Sequence, residues 1–198
     1  MRQIINLNEN WRFAKTSDIP ATLEESWDQV NVPHCWNAVD GQDGGANYFR
    51  GTCQYAKVLK KPDLPRADRY YLEINGANSS AWVTLNGKKL AEHHGGYSTW
   101  RVDLTDTLEE ENLLVISVDN SPNSTVYPQV ADFTFYGGLY RNVKLICVAE
   151  SHFDLDYYGT PGIKVTPVME GKDARVTTEV FVTDRKEGQT LRYSLLNA

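Results

Sequence analysis

Asn86-Gly87 restricts the folding of this chain more than any other pair of residues in it. It stands between residues 81–85, a short run that reads as a strand, and 88–93, which reads as the return strand. In an extended chain Ala81, Val83 and Leu85 share one face, and Trp82 and Thr84 the other. A type I′ turn needs positive φ at both central residues, which Asn tolerates and Gly adopts freely. The pair therefore predicts a tight β-hairpin.

The same alternation recurs along the chain. Residues 52–59 alternate up to Lys60-Lys61-Pro62, and 69–74 follow a Pro- and Asp-rich loop. Trp100, Val102 and Leu104 interleave with Arg101 and Asp103, and Leu114, Ile116 and Val118 repeat the pattern. Residues 139–148 close the series as a further apolar strand, and only 105–111 suggest a helical turn. Many short strands with turn signals about every 8–12 residues indicate an all-β sandwich rather than alternating strands and helices. A second register begins after Glu150, with strands expected over 162–168, 174–183 and 191–196. In 174–183, Val176, Thr178, Val180 and Val182 fall on one face. Those strands amount to about half of an immunoglobulin-like sandwich, which needs about 100 residues. A half-sandwich leaves an apolar face and strand edges open, so the chain is expected to be a truncated part of something longer. The expected domains are 1–149 and 150–198.

Composition narrows the function classes. Hydrophobic residues are 41% and charged residues 23%, enough for a core and against wholesale disorder. A net charge of −6 argues against a nucleic-acid or anionic-membrane surface, which needs a basic stripe. No run approaches the ~20 apolar residues of a membrane span, and the start resembles no secretory signal, so a cytoplasmic location is expected. Cys35, Cys53 and Cys147 are an odd set without C-x-x-C spacing, which fits reduced, packed thiols. His34 beside Cys35 lacks further ligands at short spacing, so no metal or other cofactor is expected.

No nucleophile elbow, phosphate loop or dinucleotide fingerprint is present. The stretch 40–45, Asp-Gly-Gln-Asp-Gly-Gly, has the glycine of a calcium loop at position six. Position twelve would be Gly51, where a bidentate Glu is required, so a polar surface loop is the simpler reading. Asp154 and Asp156 could pair, but i, i+2 spacing in a strand reads as an exposed face rather than a catalytic couple. Sugar recognition asks for aromatic platforms beside carboxylates and amides. Segments 40–48 and 127–140 mix these types between strands.

Three blocks carry a resemblance. They are 32–55, VPHCWNAVDGQDGGANYFRGTCQY; 76–105, GANSSAWVTLNGKKLAEHHGGYSTWRVDLT; and 132–145, DFTFYGGLYRNVKL. The second is the most specific, with a small-residue turn, the Asn-Gly hairpin, His94-Gly95-Gly96-Tyr97 and an aromatic-x-x-Asp strand. Together they resemble the N-terminal region of family 2 glycoside hydrolases, the β-galactosidase, β-glucuronidase and β-mannosidase group. Residues 157–167 are similar to the opening of that family's second domain.

The resemblance implies a jelly-roll, galactose-binding-like sandwich followed by an incomplete immunoglobulin-like one. It also implies a parent enzyme that hydrolyses terminal β-linked sugars with retention, its catalytic glutamates on a barrel outside this chain. The first block is more similar to bacterial β-galactosidases than to glucuronidases, so the expected partner is a β-galactoside, with the barrel of the same protein. Family members often form dimers or tetramers. Asp132 matches the family's sugar-contacting carboxylate, with Asp43 and Asn47 as further candidates. Arg141 matches as a loop clamp or ion-pair residue. Thr52 stands where some β-galactosidases have a sugar-contacting Asn. No catalytic residue is expected here, and the chain alone is expected to be inactive. The alternatives are a free-standing carbohydrate-binding module, or a β-glucuronidase or β-mannosidase parent.

Overall fold

A computed structural model describes residues 2–40, 48–127, 134–194 and 196. Extended segments run in order as β1 (Gln3–Asn6), β2 (Trp11–Ala14), β3 (Asp28–Val30), β4 (Thr52–Lys60) and β5 (Arg69–Ile74). They continue as β6 (Ser80–Leu85), β7 (Lys88–His94), β8 (Trp100–Asp103), β9 (Glu111–Asp119) and β10 (Val143–Val148). After Val148 come β11 (His152–Phe153), β12 (Ile163–Glu170), β13 (Asp173–Val180) and β14 (Val182–Thr183). Lys61–Asp63 and Thr105–Thr107 form single 3-10 turns, and no α-helix occurs among the described residues.

The strands up to β10 form two antiparallel sheets, ordered β3-β2-β4-β9-β6-β7 and β1-β10-β5-β8. Alternation explains how they close on one core. Ala81, Val83 and Leu85 from β6, Leu114, Ile116 and Val118 from β9, and Leu72, Ile74, Val102 and Leu145 from the other sheet are all buried in one cluster. Each Leu or Ile buried in this way stabilises the fold by about 1.5–3 kcal/mol. The hairpin forms where the Asn-Gly pair places it, with φ of 50° at Asn86 and 78° at Gly87, and Leu85 facing Lys88. Asn86 also works through its side chain, accepting the Leu113 N–H at 2.8 Å and donating to Asn112 at 3.0 Å. The hairpin is thereby tied to β9.

Several expectations need correction. Residues 139–148 yield a ladder only from Val143, because the backbone of 137–139 is engaged elsewhere, by Trp36, Asn78 and His34. Residues 191–194 and 196 are not extended into a strand. Asp154 and Asp156 lie in a turn, where Asp154 Oδ1 accepts the N–H groups of Asp156 and Tyr157 at 2.8 and 2.7 Å. Asp154 Oδ2 also accepts the Thr183 hydroxyl at 3.1 Å, so the Asp154 carboxylate shapes this turn. β1 to β3 are short, which explains why alternation does not reveal them.

The outer face of the four-stranded sheet is covered as well. Tyr71, Ile146 and Val148 point away from the main core and pack with Leu155, 1% exposed, from the segment that follows β11. Beyond that segment, β12 and β13 pair along their whole length as a ribbon. One of its faces carries Ile163, Val165, Pro167 and Met169 opposite Val180, Thr178, Val176 and Ala174. The other carries the ion pairs Lys164–Glu179 and Arg175–Glu170.

Candidate functional site

At one end of the sandwich a buried pair of amides joins the connections between strands. Asn37 is fully buried, and its Nδ2 donates to Asp40 Oδ2 at 2.7 Å and to the Phe49 carbonyl at 2.8 Å. Its Oδ1 accepts the Gly137 N–H at 2.7 Å and Asn120 Nδ2 at 3.1 Å. Asn120, also fully buried, donates to the Phe135 carbonyl at 2.9 Å and accepts the Gly51 N–H at 2.9 Å. Buried amides are stable only when fully paired, so this knot fixes two connections, β3–β4 and β9–β10, against each other. Asp40 Oδ2 also accepts the Phe49 N–H at 3.1 Å. The hydrogen bonds from Asn37 and Phe49 hold its carboxyl below the ordinary aspartate range.

Behind the knot, aromatic rings fill the space. His34 shares a 2.8 Å hydrogen bond with the Tyr55 hydroxyl, and Phe13 packs against His34, Trp36 and Tyr55. Burial lowers the His34 pKa and pushes Tyr55 well above the usual tyrosine range. Gly138 is required here: its φ is 139°, and an added Cβ would lie 2.2 Å from the His34 carbonyl oxygen.

In front of the knot lies a cleft of about 430 Å³, lined by Cys35, Asn78, Tyr97, Phe135, Tyr136 and Tyr140 among others. Asn78 Nδ2 donates to the Tyr136 carbonyl at 2.6 Å, and the Tyr140 hydroxyl donates to the Gly96 carbonyl. Arg141 donates to the Tyr97 carbonyl at 3.1 Å and lies over the Tyr140 ring. The cleft wall is thus built from the β7–β8 loop and the segment leading to β10. Arg50 borders the same end, its guanidinium over Phe135 and Tyr48 and its Nε on the Asn120 carbonyl at 2.8 Å. A larger cavity of about 640 Å³ opens beside Arg2, His152 and Arg185, away from these loops.

Comparison with known proteins agrees with this architecture. Residues 47–138 match the family model described as the glycosyl hydrolase 2 galactose-binding domain-like family. The sandwich belongs to that family. A β-glucuronidase of Bacteroides fragilis is 33% identical over 98% of this chain, which spans 28% of that protein. A β-galactosidase of Thermoanaerobacter pseudethanolicus is 26% identical over 95% of the chain, which spans 29% of it. Among solved structures, an FMN-binding β-glucuronidase from F. prausnitzii L2-6 superposes with a TM-score of 0.83 at 45% identity. That superposition covers 94% of this chain and 29% of the other. The chain therefore spans less than a third of these relatives.

Within this galactose-binding-like domain, the expected contact residues Asp132, Asp43 and Asn47 lie outside the described residues. The roots of their loops are described, and the amide knot ties them together through Asp40, Phe49 and Phe135. Arg141 acts as a loop clamp. Thr52 directs its hydroxyl to Asp119 Oδ2 at 2.5 Å. Asn37 and Asn120, which organise the domain's loop end, follow no sequence motif. Asn37 lies inside the 32–55 block and Asn120 directly after β9, but an Asn at either place is shared by ordinary turns.

Proposed function

We propose that this chain is the non-catalytic N-terminal region of a retaining glycoside hydrolase that removes terminal β-linked sugars, and that its loop end forms one wall of the sugar pocket. The observation that carries the reading is the Asn37–Asn120 knot. It brings the roots of 41–47 and 128–133 together at one end of a galactose-binding-like sandwich. Asp132 then serves as an acceptor for sugar hydroxyls, with Asp43 and Asn47 beside it. A charge-assisted hydrogen bond of this kind contributes about 1.5–3 kcal/mol.

The remainder of the enzyme would supply the catalytic carboxylates. Residues 150–198 would open an immunoglobulin-like domain, a reading supported by the apolar face of the β12–β13 ribbon. On that face Val165 is 57% and Met169 70% exposed. Relatives named as β-galactosidase and as β-glucuronidase both support a β-glycosidase parent. The experiment is turnover of 4-nitrophenyl β-galactoside and β-glucuronide by this chain and by the full-length protein. The expected result is no turnover by the chain alone and clear turnover of one substrate by the full-length protein. Robust hydrolysis by the 198-residue chain would overturn the reading.

A further inference from the structure

Glu73, Arg101 and Lys144 are cross-strand neighbours on the outer face of the four-stranded sheet. Arg101 and Glu73 have side chains only 7% and 9% exposed. Arg101 holds Glu73 Oε2 through Nε at 2.8 Å and Nη2 at 2.7 Å. Its Nη1 turns outward to the carbonyls of Leu155 and Thr160, at 2.6 and 2.8 Å. One guanidinium therefore joins the sheet to the segment after β11. Burial pushes the Glu73 carboxyl up, but hydrogen bonds from Arg101 and Asn75 and the charges of Arg101 and Lys144 outweigh it and leave it low.

A second contact lies two residues away. Gly159 has φ of 66°, and a Cβ there would sit 2.4 Å from the Thr99 carbonyl oxygen. Thr99 also receives Asn75 Nδ2 at 3.4 Å, and the same Nδ2 donates to Glu73 Oε1 at 3.0 Å. Thr99 belongs to the β7–β8 loop, whose Tyr97 lines the cleft. A buried ion pair is a weak source of net stability compared with apolar packing, whereas its geometry is demanding. The planar fork of Arg suits it to hold several acceptors in a fixed arrangement.

The geometry points to Arg101 as a positioning residue: the Glu73–Arg101 pair, with Gly159 against Thr99, couples the seat of segment 155–160 to the loop that walls the cleft. The bearing of this coupling on sugar rests on the function proposed above, while the coupling itself does not.

Hydrogen exchange on the 198-residue chain, without any sugar, tests the coupling. In Arg101→Gln, amides of 155–162 and of 95–99 should both exchange at least about tenfold faster, while β4 and β9 keep their protection. Arg101→Lys keeps the charge but not the fork and should behave the same way. Gly159→Ala perturbs the joint from the other side and should give the same pair of changes even if Arg101→Gln does not fold. Loosening of 155–162 with unchanged exchange at 95–99 overturns the coupling, as does full protection in Arg101→Lys. Because no turnover or sugar affinity is read, these outcomes leave the proposed function standing.

Discussion

Asn37 and Asn120, 83 positions apart in sequence, meet through a 3.1 Å amide hydrogen bond inside the loop end of the sandwich. Each amide also bonds backbone groups, Asn37 the Gly137 N–H and the Phe49 carbonyl, Asn120 the Gly51 N–H and the Phe135 carbonyl. In Asn37→Ala the Gly137 N–H loses its partner, the Phe49 carbonyl keeps only long contacts from Trp36 Nε1 at 3.4 Å and Asn120 Nδ2 at 3.5 Å, and the Asn120 and Asp40 side chains each lose a contact. An unsatisfied buried polar group costs about 1–3 kcal/mol, so the variant should be destabilised by about 3 kcal/mol or more in urea unfolding. A midpoint like that of the parent chain would mean that the knot contributes nothing.

Two glycines with positive φ should respond differently to alanine. Gly87 has open space where a Cβ would lie, so Gly87→Ala meets only backbone strain, about 1 kcal/mol. Gly138→Ala adds a 2.2 Å approach to the His34 carbonyl and should lower the thermal midpoint much further. Equal shifts would contradict the packing at the loop end.

The Glu73 carboxyl is held below the ordinary glutamate range, so it binds protons less readily folded than unfolded. Its stabilisation is therefore present above the unfolded pKa and is lost as pH falls through the lower folded value. Glu73→Gln leaves Arg101 buried without its anion and should cost about 3 kcal/mol at pH 7. Urea unfolding across pH 2–7 should show the difference from the parent shrinking at the acid end of that window. A difference constant across the range would remove the charge from the explanation.

Burial raises the thiol of Cys53 to about 12 and that of Cys147 to about 11, and it raises the half-buried Cys35 as well. The thiolate is the reactive form. At pH 8, iodoacetamide should leave Cys53 and Cys147 of the folded chain unlabelled, with only slow addition at Cys35. Mass spectrometry should show all three cysteines modified after denaturation. Rapid native labelling of Cys147 would show that β10 opens.

The sandwich was legible in the sequence because its core-facing apolar side chains fall at alternate positions along whole strands. Leu114, Ile116 and Val118 face the core while their neighbours face away, as alternation requires. The limit of that signal is visible in the same strand: Ser117 is fully buried, bonded at 2.6 Å to Gln54, which in turn holds the carbonyls of Thr16 and Ser17. A polar residue in an alternating run reads as exposed unless its distant partner is known. The site divides similarly. The Gly-x-aromatic-Arg element at Gly138, Tyr140 and Arg141 was recognisable as a motif. Asn37 and Asn120 act through hydrogen bonds between segments far apart in the chain, which no local pattern encodes.

In the function proposed above, the loop end of this sandwich faces the sugar through Asp132. The most direct test is kcat/KM of the full-length protein, with and without Asp132→Ala, on its preferred 4-nitrophenyl β-glycoside. Loss of a charge-assisted contact to two hydroxyls should lower kcat/KM by about 100-fold, since each 1.36 kcal/mol is a factor of ten. The thermal midpoint should stay unchanged. Unaltered kcat/KM in a folded Asp132→Ala protein would contradict the account.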